Sequence, residues 1–435
     1  MRYLKYFYSG VLLLPLAIGV YSSAETIPFD SERWQLNGQD TQIEEYLGQQ
    51  SLKVTNGSAI VTDSAFTNGI IEYDVALGQG RGFAGAMWRL QDLNNYEHFY
   101  MRPHQSGNPD ATQYTPTFNG MSGWQLYYGD GYSSAFQYTF NEWMHVKIVV
   151  AGQNAEVYIN DMDEPVLVAK ELKREIQSGK VALSSNALPP TFTPTYFANF
   201  SYTDEDNPPL KGVPEPETAQ PGTIMSWLVS NSFDGTSLEN KFVLSEVDRQ
   251  NLLWTELASE ASGRTNLAKI QGVAEGQNTV FARITIVSDQ EQIKQLQYGF
   301  SDSVKVYFNG NLIEGGNDTF QSRDYRFLGT MGFFDVVYLP LKTGENELWM
   351  AISEGFGGWG VQARFKDLDG ITLATTGGVD LNTVPTGESC ATYSPETEKV
   401  HIPCVSVGGS TYEVEMQQQP PNLIFEVDQN SIKPR

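Results

Sequence analysis

Cationic side chains are scarce in this sequence. Its 435 residues include 28 Lys and Arg against 52 Asp and Glu, which gives a formal net charge of −24. A surface of that sign repels phosphate backbones and anionic lipid headgroups, so it counts against nucleic acid and membrane surfaces as partners. We therefore expect an uncharged partner, and a neutral polysaccharide or oligosaccharide is the class that fits best.

Long apolar runs are absent after the first 24 residues. Arg2 and Lys5 precede the run VLLLPLAIGV at 11–20, and small residues follow at 22–24, which is the pattern of a cleavable signal peptide. The run is shorter than the roughly 20 residues that a bilayer span needs, which favours cleavage after Ala24 over an uncleaved anchor. The pattern predicts a secreted or periplasmic protein that does not insert into a membrane after cleavage.

Cysteine is nearly absent, with only Cys390 and Cys404 in the chain. Together with the nearby His401 they offer at most three of the four ligands that a structural zinc ion needs. In an exported protein an isolated pair at this spacing instead predicts a disulfide. Closing a ring of this size would add about 3 kcal/mol of stability.

Alternation of apolar and polar residues with a period of two runs through residues 25–204. Turn clusters such as GQGRG and SGNPD separate the alternating segments, and ELKREI at 171–176 is the one segment there with a helical period. This pattern predicts an all-β fold, and specifically a β-sandwich.

The remainder divides into a linker, a second strand-rich region and a C-terminal piece. Residues 205–223 are rich in proline and acidic residues, which predicts a semi-extended linker and hinge, the alternative being a loop inside one domain. Residues 224–380 predict a second sandwich of the jelly-roll kind, with a hairpin turn at FNGN (308–311) and a short helical look at 246–259. Residues 381–435 predict a β-hairpin region that holds the disulfide.

Three stretches of the first region carry a family resemblance: GIIEYDVALGQGRGFAGAMWR (69–89), the segment 95–129, and the segment 143–172. They resemble the concanavalin A-like lectin/glucanase superfamily, in particular its laminin G-like and 3-keto-disaccharide hydrolase-like bacterial branch. The resemblance implies a sandwich fold for this region. It does not settle an activity, because one fold hosts many functions.

The second region resembles the galactose-binding-like jelly roll that is appended to many glycosidases. The segments 254–269, 299–318, 322–329 and 339–360 carry this resemblance, the last through a Gly-x-Asn-Glu-Leu stretch that opens a strand. Such modules bind sugar or serve as packing partners, and the resemblance implies either role.

The paired carboxylates of concanavalin-like glucanases offer a test for catalysis. Those enzymes carry E-x-D-x-x-E on one strand, which places a nucleophile and an acid on either side of a glycosidic bond. The nearest stretch here has Glu72 and Asp74, but Leu77 occupies the third position. A retaining glucanase of that type is therefore disfavoured.

A cluster of aromatic, His and Arg residues is the stronger functional signal. In YEHFYMR, alternation places Tyr96, His98, Tyr100 and Arg102 on one face of a strand. Aromatic rings stack on sugar rings while Arg and His donate hydrogen bonds to hydroxyls, so this face predicts a saccharide groove. The alternative is that the aromatic residues form the core. The other candidates within about 40 residues are Trp88, Arg89, His104, Trp124, Tyr127 and Tyr128.

Candidates for acid–base chemistry are few. His98 is the candidate general base, with Glu97 or Asp110 as its partner, and the competing interpretation makes this histidine a structural or ligand-contacting group. In the second region, Arg323, Asp324, Asp335 and Trp359 are candidate ligand contacts on loops, although Trp359 fits equally well as a plug of a tight turn. No cofactor is predicted, and calcium is left open with no ligand set assigned.

Three functions remain in competition after the sequence alone. We expect an exported carbohydrate-binding protein. The first alternative is a glycoside-cleaving enzyme of the 3-keto-disaccharide hydrolase-like type, and the second is a structural or adhesive surface protein.

Overall fold

A computed structural model describes residues 24, 26–38, 40–212, 215, 217–250 and 252–374, and the backbone of five further strands near the C-terminus. The predicted all-β fold is confirmed, since antiparallel sheets account for nearly all of the regular structure. Within the described residues, no helix is both long and apolar enough to cross a membrane.

The first sandwich is built from fifteen strands between residues 34 and 204. They are β1 (Trp34–Gly38), β2 (Thr41–Tyr46), β3 (Gln49–Val54), β4 (Asn56–Val61), β5 (Gly69–Leu77), β6 (Gly82–Asp92), β7 (Asn95–Met101), β8 (Thr112–Phe118), β9 (Met121–Ser122), β10 (Ser133–Ser134), β11 (Trp143–Ala151), β12 (Asn154–Ile159), β13 (Leu167–Ala169), β14 (Lys180–Ala187) and β15 (Thr195–Asp204).

These strands form two sheets that enclose one apolar core. The front sheet has the order β1-β4-β14-β6-β7-β8-β10, with β9 paired to β8, and the back sheet has the order β13-β12-β11-β5-β15-β3-β2. Side chains that point inward from both sheets, such as Trp88, Phe99, Val146 and Phe197, are fully buried. Side chains on the outer face of the front sheet do not belong to this core. A 3-10 turn at Pro103–Gln105 follows β7 at its edge.

The second sandwich contains eleven strands and one short α-helix. They are β16 (Ser226–Ser230), α1 (Glu246–Arg249), β17 (Trp254–Ala258), β18 (Thr265–Asn266), β19 (Thr279–Ser288), β20 (Gln292–Ser301), β21 (Ser303–Phe308), β22 (Asn311–Asn317), β23 (Asp335–Leu341), β24 (Gly344–Ser353), β25 (Gly360–Phe365) and β26 (Ile371–Ala374), with 3-10 turns at Gly235–Leu238 and Leu267–Lys269.

The strands of this second unit again make two layers. The larger sheet has the order β17-β16-β19-β24-β21-β22, with β26 paired to β19, and the smaller sheet has the order β18-β25-β20-β23. The hairpin predicted at 308–311 is confirmed, since Asn309 and Gly310 both have positive φ between β21 and β22, as a tight two-residue turn requires.

The helical expectations at 246–259 and 171–176 need correction. The first segment is helical only at Glu246–Arg249, after which Trp254 begins strand β17 and packs edge-on against Trp349 at 5.1 Å between ring centroids. Pairing with β16 and this aromatic contact override the local helical period. The second segment, ELKREI, contains no helix.

Side chains of both sandwiches meet in a buried charged cluster, which we call the seam (Tyr127, Lys173, Glu260 and Arg264). Lys173 Nζ lies 3.0 Å from a Glu260 carboxylate oxygen, and Tyr127 donates its hydroxyl proton to the other one. The Lys173 side chain is 1% exposed. Burial alone would lower the pKa of Lys173, but the Glu260 carboxylate holds that pKa above its usual value. The seam therefore joins the sandwiches through paired charges sealed from water.

The Pro-rich segment between the sandwiches contacts both of them. The backbone N–H groups of Lys211 and Gly212 donate to the carboxylate of Glu156 in the first sandwich, at 3.0 and 2.7 Å. Glu217 forms an ion pair with Arg264 in the second. The domain boundaries, and independent folding of the two sandwiches about a hinge at 204–223, stay predictions.

The C-terminal piece is described only through its strand backbones. They are β27 (Thr392–Ser394), β28 (Lys399–Val407), β29 (Ser410–Gln419), β30 (Ile424–Val427) and β31 (Lys433–Pro434), which form one antiparallel sheet. The predicted disulfide between Cys390 and Cys404 involves side chains outside the described residues. The signal peptide predicted at 1–24 also lies outside them, apart from Ala24. Both stay predictions.

Candidate functional site

A large cleft lies on the outer face of the front sheet, where the second sandwich forms its far wall. Its volume is about 1280 Å³, which is above the roughly 300–1,000 Å³ of a pocket for one drug-sized ligand. Strands β4, β6, β7 and β14 provide the floor, and loops of the second sandwich provide the wall.

The strand β7 supplies the centre of the floor. Its residues alternate, so that Tyr96, His98 and Tyr100 line the cleft while Phe99 and Met101 are fully buried in the core. The rings on the cleft side lie close together, with 5.7 Å between Tyr96 and His98 and 5.0 Å between His98 and Tyr100. The floor is therefore a continuous row of aromatic and imidazole rings.

Gly85 allows β6 to lie close to this row. It pairs with Tyr100 in the sheet, and a Cβ atom at this position would lie 2.0 Å from the carbonyl oxygen of Phe99. Such a contact is not sterically allowed, so any side chain here would push β6 away from β7.

Arg102 lines the cleft at the end of the row, with its side chain almost fully buried. Its guanidinium donates to the Tyr100 hydroxyl at 3.1 Å, to Gln113 Oε1 at 2.5 Å and to the Asp110 carbonyl at 2.8 Å. The Asp110 carboxylate lies 3.5 Å away, and the Arg102 side chain is 6% exposed. Arg102 therefore fixes the Tyr100 hydroxyl, and Asp110 balances the charge of this Arg.

The two histidines of the cleft are neutral at pH 7. Burial lowers the pKa of His98 to about 3. Burial, reinforced by the positive charges of Arg102 and Arg81, lowers the pKa of His104 to about 4. His98 Nε2 lies 3.2 Å from the Ser184 hydroxyl. Neutral imidazoles offer one donor and one acceptor each, which suits uncharged hydroxyl groups.

Trp124 connects the floor to the far wall. Its half-buried ring lies 5.7 Å from the Arg102 guanidinium and 5.6 Å from the ring of Phe356, which belongs to the second sandwich. The loop residues Phe320, Gln321 and Leu328 complete the wall.

Four of the aromatic and Arg candidates from the sequence lie outside this cleft, and one of them, Tyr128, is partly buried. Trp88 and Tyr127 are fully buried in the core of the first sandwich, because Trp88 follows the cleft-lining Met87 and so points to the opposite face of β6. Arg89 sits at a bulge with φ of 48° and donates to the carbonyl oxygens of Thr67 and Gly152. The side chains of Trp88, Arg89 and Tyr127 therefore stabilise the fold.

Glu97 also points away from the cleft. Its carboxylate is fully buried and accepts hydrogen bonds from the Tyr114 hydroxyl at 2.6 Å and the Arg174 backbone at 2.9 Å. Burial raises the pKa of Glu97 despite these bonds. A partnership between Glu97 and His98 is therefore geometrically blocked, since adjacent strand residues face opposite sides.

The candidate ligand contacts of the second sandwich also lie outside the cleft. Arg323 bridges the carboxylates of Asp318 and Asp335, and Asp324 pairs with the neighbouring Arg326. None of the candidates Arg323, Asp324 and Asp335 lines the cleft. Trp359 is fully buried in the core and donates its indole N–H to the Ile352 carbonyl, as a plugging tryptophan does.

The carboxylates at the glucanase-like position lie on the opposite side of the first sandwich. Glu72 and Asp74 face outward from the back sheet and flank His145, at 3.4 and 2.8 Å. Hydrogen bonds to Asp74 and Glu72 raise the pKa of His145 to about 9. This triplet has no contact with the cleft.

Several residues that line the cleft are not predicted from the sequence. Phe83 and Met87 of β6 and Ser184 and Asn186 of β14 line the floor beside β7. Their alternation was visible, but which strands neighbour β7 was not. Phe356 was part of a Gly-rich run, and nothing in the sequence placed that run against Trp124.

No metal site emerges from the residues whose positions are known. Among them, no three His, Cys, Asp or Glu side chains are grouped as a metal ion would require.

Comparison with protein families gives one match. Residues 29–201 match the family model of the 3-keto-alpha-glucoside-1,2-lyase-like domain. This confirms the resemblance of the first sandwich to that branch, over less than half of the chain. The galactose-binding-like character of the second sandwich stays a prediction. Comparison with curated proteins gives no match.

Solved structures similar to this chain resemble it over about two fifths of its length. Carbohydrate binding module CBM66 from Bacillus subtilis is 14% identical, with 40% of this chain and 96% of that chain covered and a TM-score of 0.31. The β-glucanase of Bacillus licheniformis is 10% identical, with 42% and 99% covered and a TM-score of 0.31. A xylan β-1,4-xylosidase from Bacillus halodurans is 15% identical, with 41% and 38% covered and a TM-score of 0.30.

Proposed function

We propose that this is an exported carbohydrate-binding protein that holds a neutral polysaccharide or oligosaccharide in the cleft. The observation that carries the proposal is the row of Tyr96, His98 and Tyr100 on the open face of β7, with Trp124 beside it. The partly exposed rings of Tyr96, His98 and Trp124 offer stacking faces, and the Tyr96 hydroxyl and the neutral imidazole offer hydrogen bonds. An uncharged sugar needs both. Tyr100 is 4% exposed, and Arg102 and Gln113 engage its hydroxyl.

The charges of the cleft support a neutral ligand. Arg102 is balanced by Asp110, and His98 and His104 carry no charge at pH 7. A charged ligand would lose hydration on entering and would find Arg81, at the exposed rim, as its one free cation among the described lining residues.

A glycoside-cleaving enzyme of the 3-keto-disaccharide hydrolase-like type is the second candidate. The family match of residues 29–201 favours it. Two observations weigh against it. Among the described lining residues Asp110 is the one carboxylate, and Arg102 engages it, whereas hydrolysis by paired carboxylates needs two. His98, with a pKa of about 3, is a weak general base at neutral pH.

Trp124→Ala tests the proposal. Trp124 is partly buried and belongs to none of the apolar cores, so its loss should lower the melting temperature only slightly. Loss of its stacking face should weaken binding of an immobilised neutral glycan about tenfold. The experiment combines a glycan array, thermal denaturation and an assay for sugars released from the bound glycan.

Each outcome selects one reading. Binding without turnover that Trp124→Ala weakens supports the proposal, and release of sugars that the variant abolishes supports the enzyme. If the wild-type protein binds no glycan on the array and releases none, the proposal fails and a structural or adhesive role gains weight. Tyr325→Ala, an exposed aromatic outside the cleft, is the matched control.

A further inference from the structure

The far wall of the cleft belongs to the second sandwich and exposes two large aromatic rings. Phe356 is 60% exposed and Phe320 is 40% exposed, and both line the cleft. Exposed phenyl rings cost hydration free energy, so two of them at the rim of one cleft mark a place where another molecule covers them. Trp124 faces Phe356 from the first sandwich at 5.6 Å between ring centroids, with 57° between the ring planes.

The wall is fastened to the floor through Gln125. Its backbone N–H donates to the Gly357 carbonyl at 2.9 Å, and its side-chain amide donates to the Leu328 carbonyl at 3.0 Å. Its own carbonyl accepts from the Met331 N–H at 2.9 Å. Gln125 is fully buried and directly follows Trp124. Gln125 therefore places three of the hydrogen bonds that join the sandwiches at the edge of the cleft.

The loop that carries Phe356 is itself held from below by two buried carboxylates. Asp302 Oδ2 accepts from the backbone N–H groups of Gly355 and Phe356, at 3.0 and 3.2 Å. Glu354 Oε1 accepts from the Gly358 N–H at 3.2 Å. Three anchored N–H groups restrain the backbone of this loop, which favours presentation of the Phe356 ring to the cleft in advance of any ligand.

Close packing also restricts this loop to glycine at its centre. Gly357 has φ of 109°, and a Cβ atom there would lie 2.0 Å from Gln125 Oε1. Only glycine combines that backbone conformation with such a close approach. Contact with the first sandwich thus accounts for glycine at position 357.

We infer that the second sandwich supplies a second sugar-stacking subsite, formed by Phe356 with Trp124, so that the cleft binds a chain of several sugar units and needs both sandwiches to do so. This inference rests on the proposed function. One end of the chain lies on the Tyr96, His98 and Tyr100 row, and a later unit stacks on Phe356. The cleft volume of about 1280 Å³ leaves room for more than one ring.

The test compares ligands of two lengths. Disaccharides and hexasaccharides of α- and β-linked glucose, together with oligomers of whichever polysaccharide binds on the glycan array, are titrated into the wild-type protein, Phe356→Ala and Phe356→Trp. We expect Phe356→Ala to weaken hexasaccharide binding about tenfold, as loss of one stacked ring implies. Disaccharide binding should change less than twofold, and Phe356→Trp should retain the preference for length.

Two controls separate the effect from general damage. Tyr338→Ala removes an exposed aromatic side chain from β23, outside the cleft, and should change neither affinity. Tyr96→Ala removes a ring of the floor and should weaken binding of both lengths.

The possible failures are distinguishable. If the wild-type protein binds glycans but Phe356→Ala keeps full affinity for the hexasaccharide, the second subsite is overturned and the proposed function stands. Equal losses for both lengths also overturn it, because they place the ring at the same sugar unit as the floor. If no glycan binds the wild-type protein, the proposed function and this inference fail together.

Discussion

The cleft floor and the seam are built from the same kinds of side chain, yet they differ in what covers them. The floor has Tyr96, His98 and Tyr100 beside Arg102, and the seam has Tyr127 with Lys173, Glu260 and Arg264. In the seam the second sandwich closes over the charges, and each cation has a carboxylate partner. The second sandwich does not cover the floor, and the space between them is the open cleft.

The difference shows in the protonation of the two regions. Charge is kept in the seam, where Lys173 and Glu260 hold each other ionised. Charge is lost in the floor, where burial without a carboxylate partner makes His98 neutral. A cluster of aromatic and basic residues in a sequence therefore does not by itself indicate a binding site. The structure must first show whether other residues of the chain already supply the partners for its charges and hydrogen-bonding groups. The following experiments test this contrast, from the largest expected effect to the smallest.

Removing a charge from the seam should have the largest effect. Glu260→Gln leaves Lys173, with its side chain 1% exposed, beside Glu171 alone. Removal of one partner from a buried ion pair lowers the free energy of unfolding by about 3 to 5 kcal/mol, and we expect a loss of that size here. Chemical denaturation measures it.

An exposed ion pair gives the matched control for that loss. Asp163 and Lys211 are paired but exposed, and Asp163→Asn should cost less than about 1 kcal/mol. If Glu260→Gln costs no more than this control, the seam does not join the sandwiches energetically. A calorimetric trace with two separate transitions would then support independent folding.

Arg102 is an intermediate case. It lines the cleft, but like the residues of the seam it has hydrogen-bond and charge partners within the protein. Arg102→Ala leaves Gln113 and Asp110 without their buried partner. We expect a loss of about 1 to 3 kcal/mol of stability from the unsatisfied groups, measured by urea denaturation. Arg81→Ala, at the exposed rim, should cost almost nothing. A stable Arg102→Ala variant that binds no sugar would instead make Arg102 a direct donor to the ligand.

Strands β7 and β6 show which parts of the site the sequence could predict. Alternation alone separated Tyr96, His98 and Tyr100 from Phe99, since the period of a strand is fixed by its backbone. It could not sort Trp88, because the face of β6 follows from its register with β7, and register depends on which strands pair. The bulge at Arg89 shifts that register again.

The wall of the cleft was beyond the reach of the sequence. Phe356 contacts Trp124 although the two are separated by the whole linker and most of the second sandwich. No local pattern encodes a contact between two separately recognisable folds. The Gly-rich run around Phe356 did signal a close backbone approach, but the partner in that approach, Gln125, appears only in the assembled structure.

The smallest expected effect at neutral pH contrasts His98 of the floor with His145 on the opposite side of the sandwich. The pKa of His98 is lowered to about 3, below the value of about 6.5 for an unfolded chain. The neutral form is therefore favoured by folding. The stability that it contributes is complete above pH 6.5 and is lost as the pH falls from 6.5 toward 3.

His145 has the opposite sign. Its pKa is raised to about 9 by Asp74 and Glu72, so its contribution is complete below pH 6.5 and is lost as the pH rises from 6.5 toward 9. The His145 side chain is 40% exposed, so solvent screening should make its effect the weaker of the two.

Melting temperatures from pH 4 to 9 for the wild-type protein, His98→Gln and His145→Gln test both signs. His98→Gln should flatten the acid side of the variant's own curve of stability against pH, and His145→Gln the alkaline side, each by at most about 1.4 kcal/mol per pH unit. The difference between wild type and variant should therefore slope on that side alone. Carboxylates that titrate at low pH are common to all three proteins and cancel in the differences. If His98→Gln leaves the acid slope unchanged, the imidazole of the floor is solvated as a surface histidine is, and the contrast between a neutral floor and a charged seam disappears.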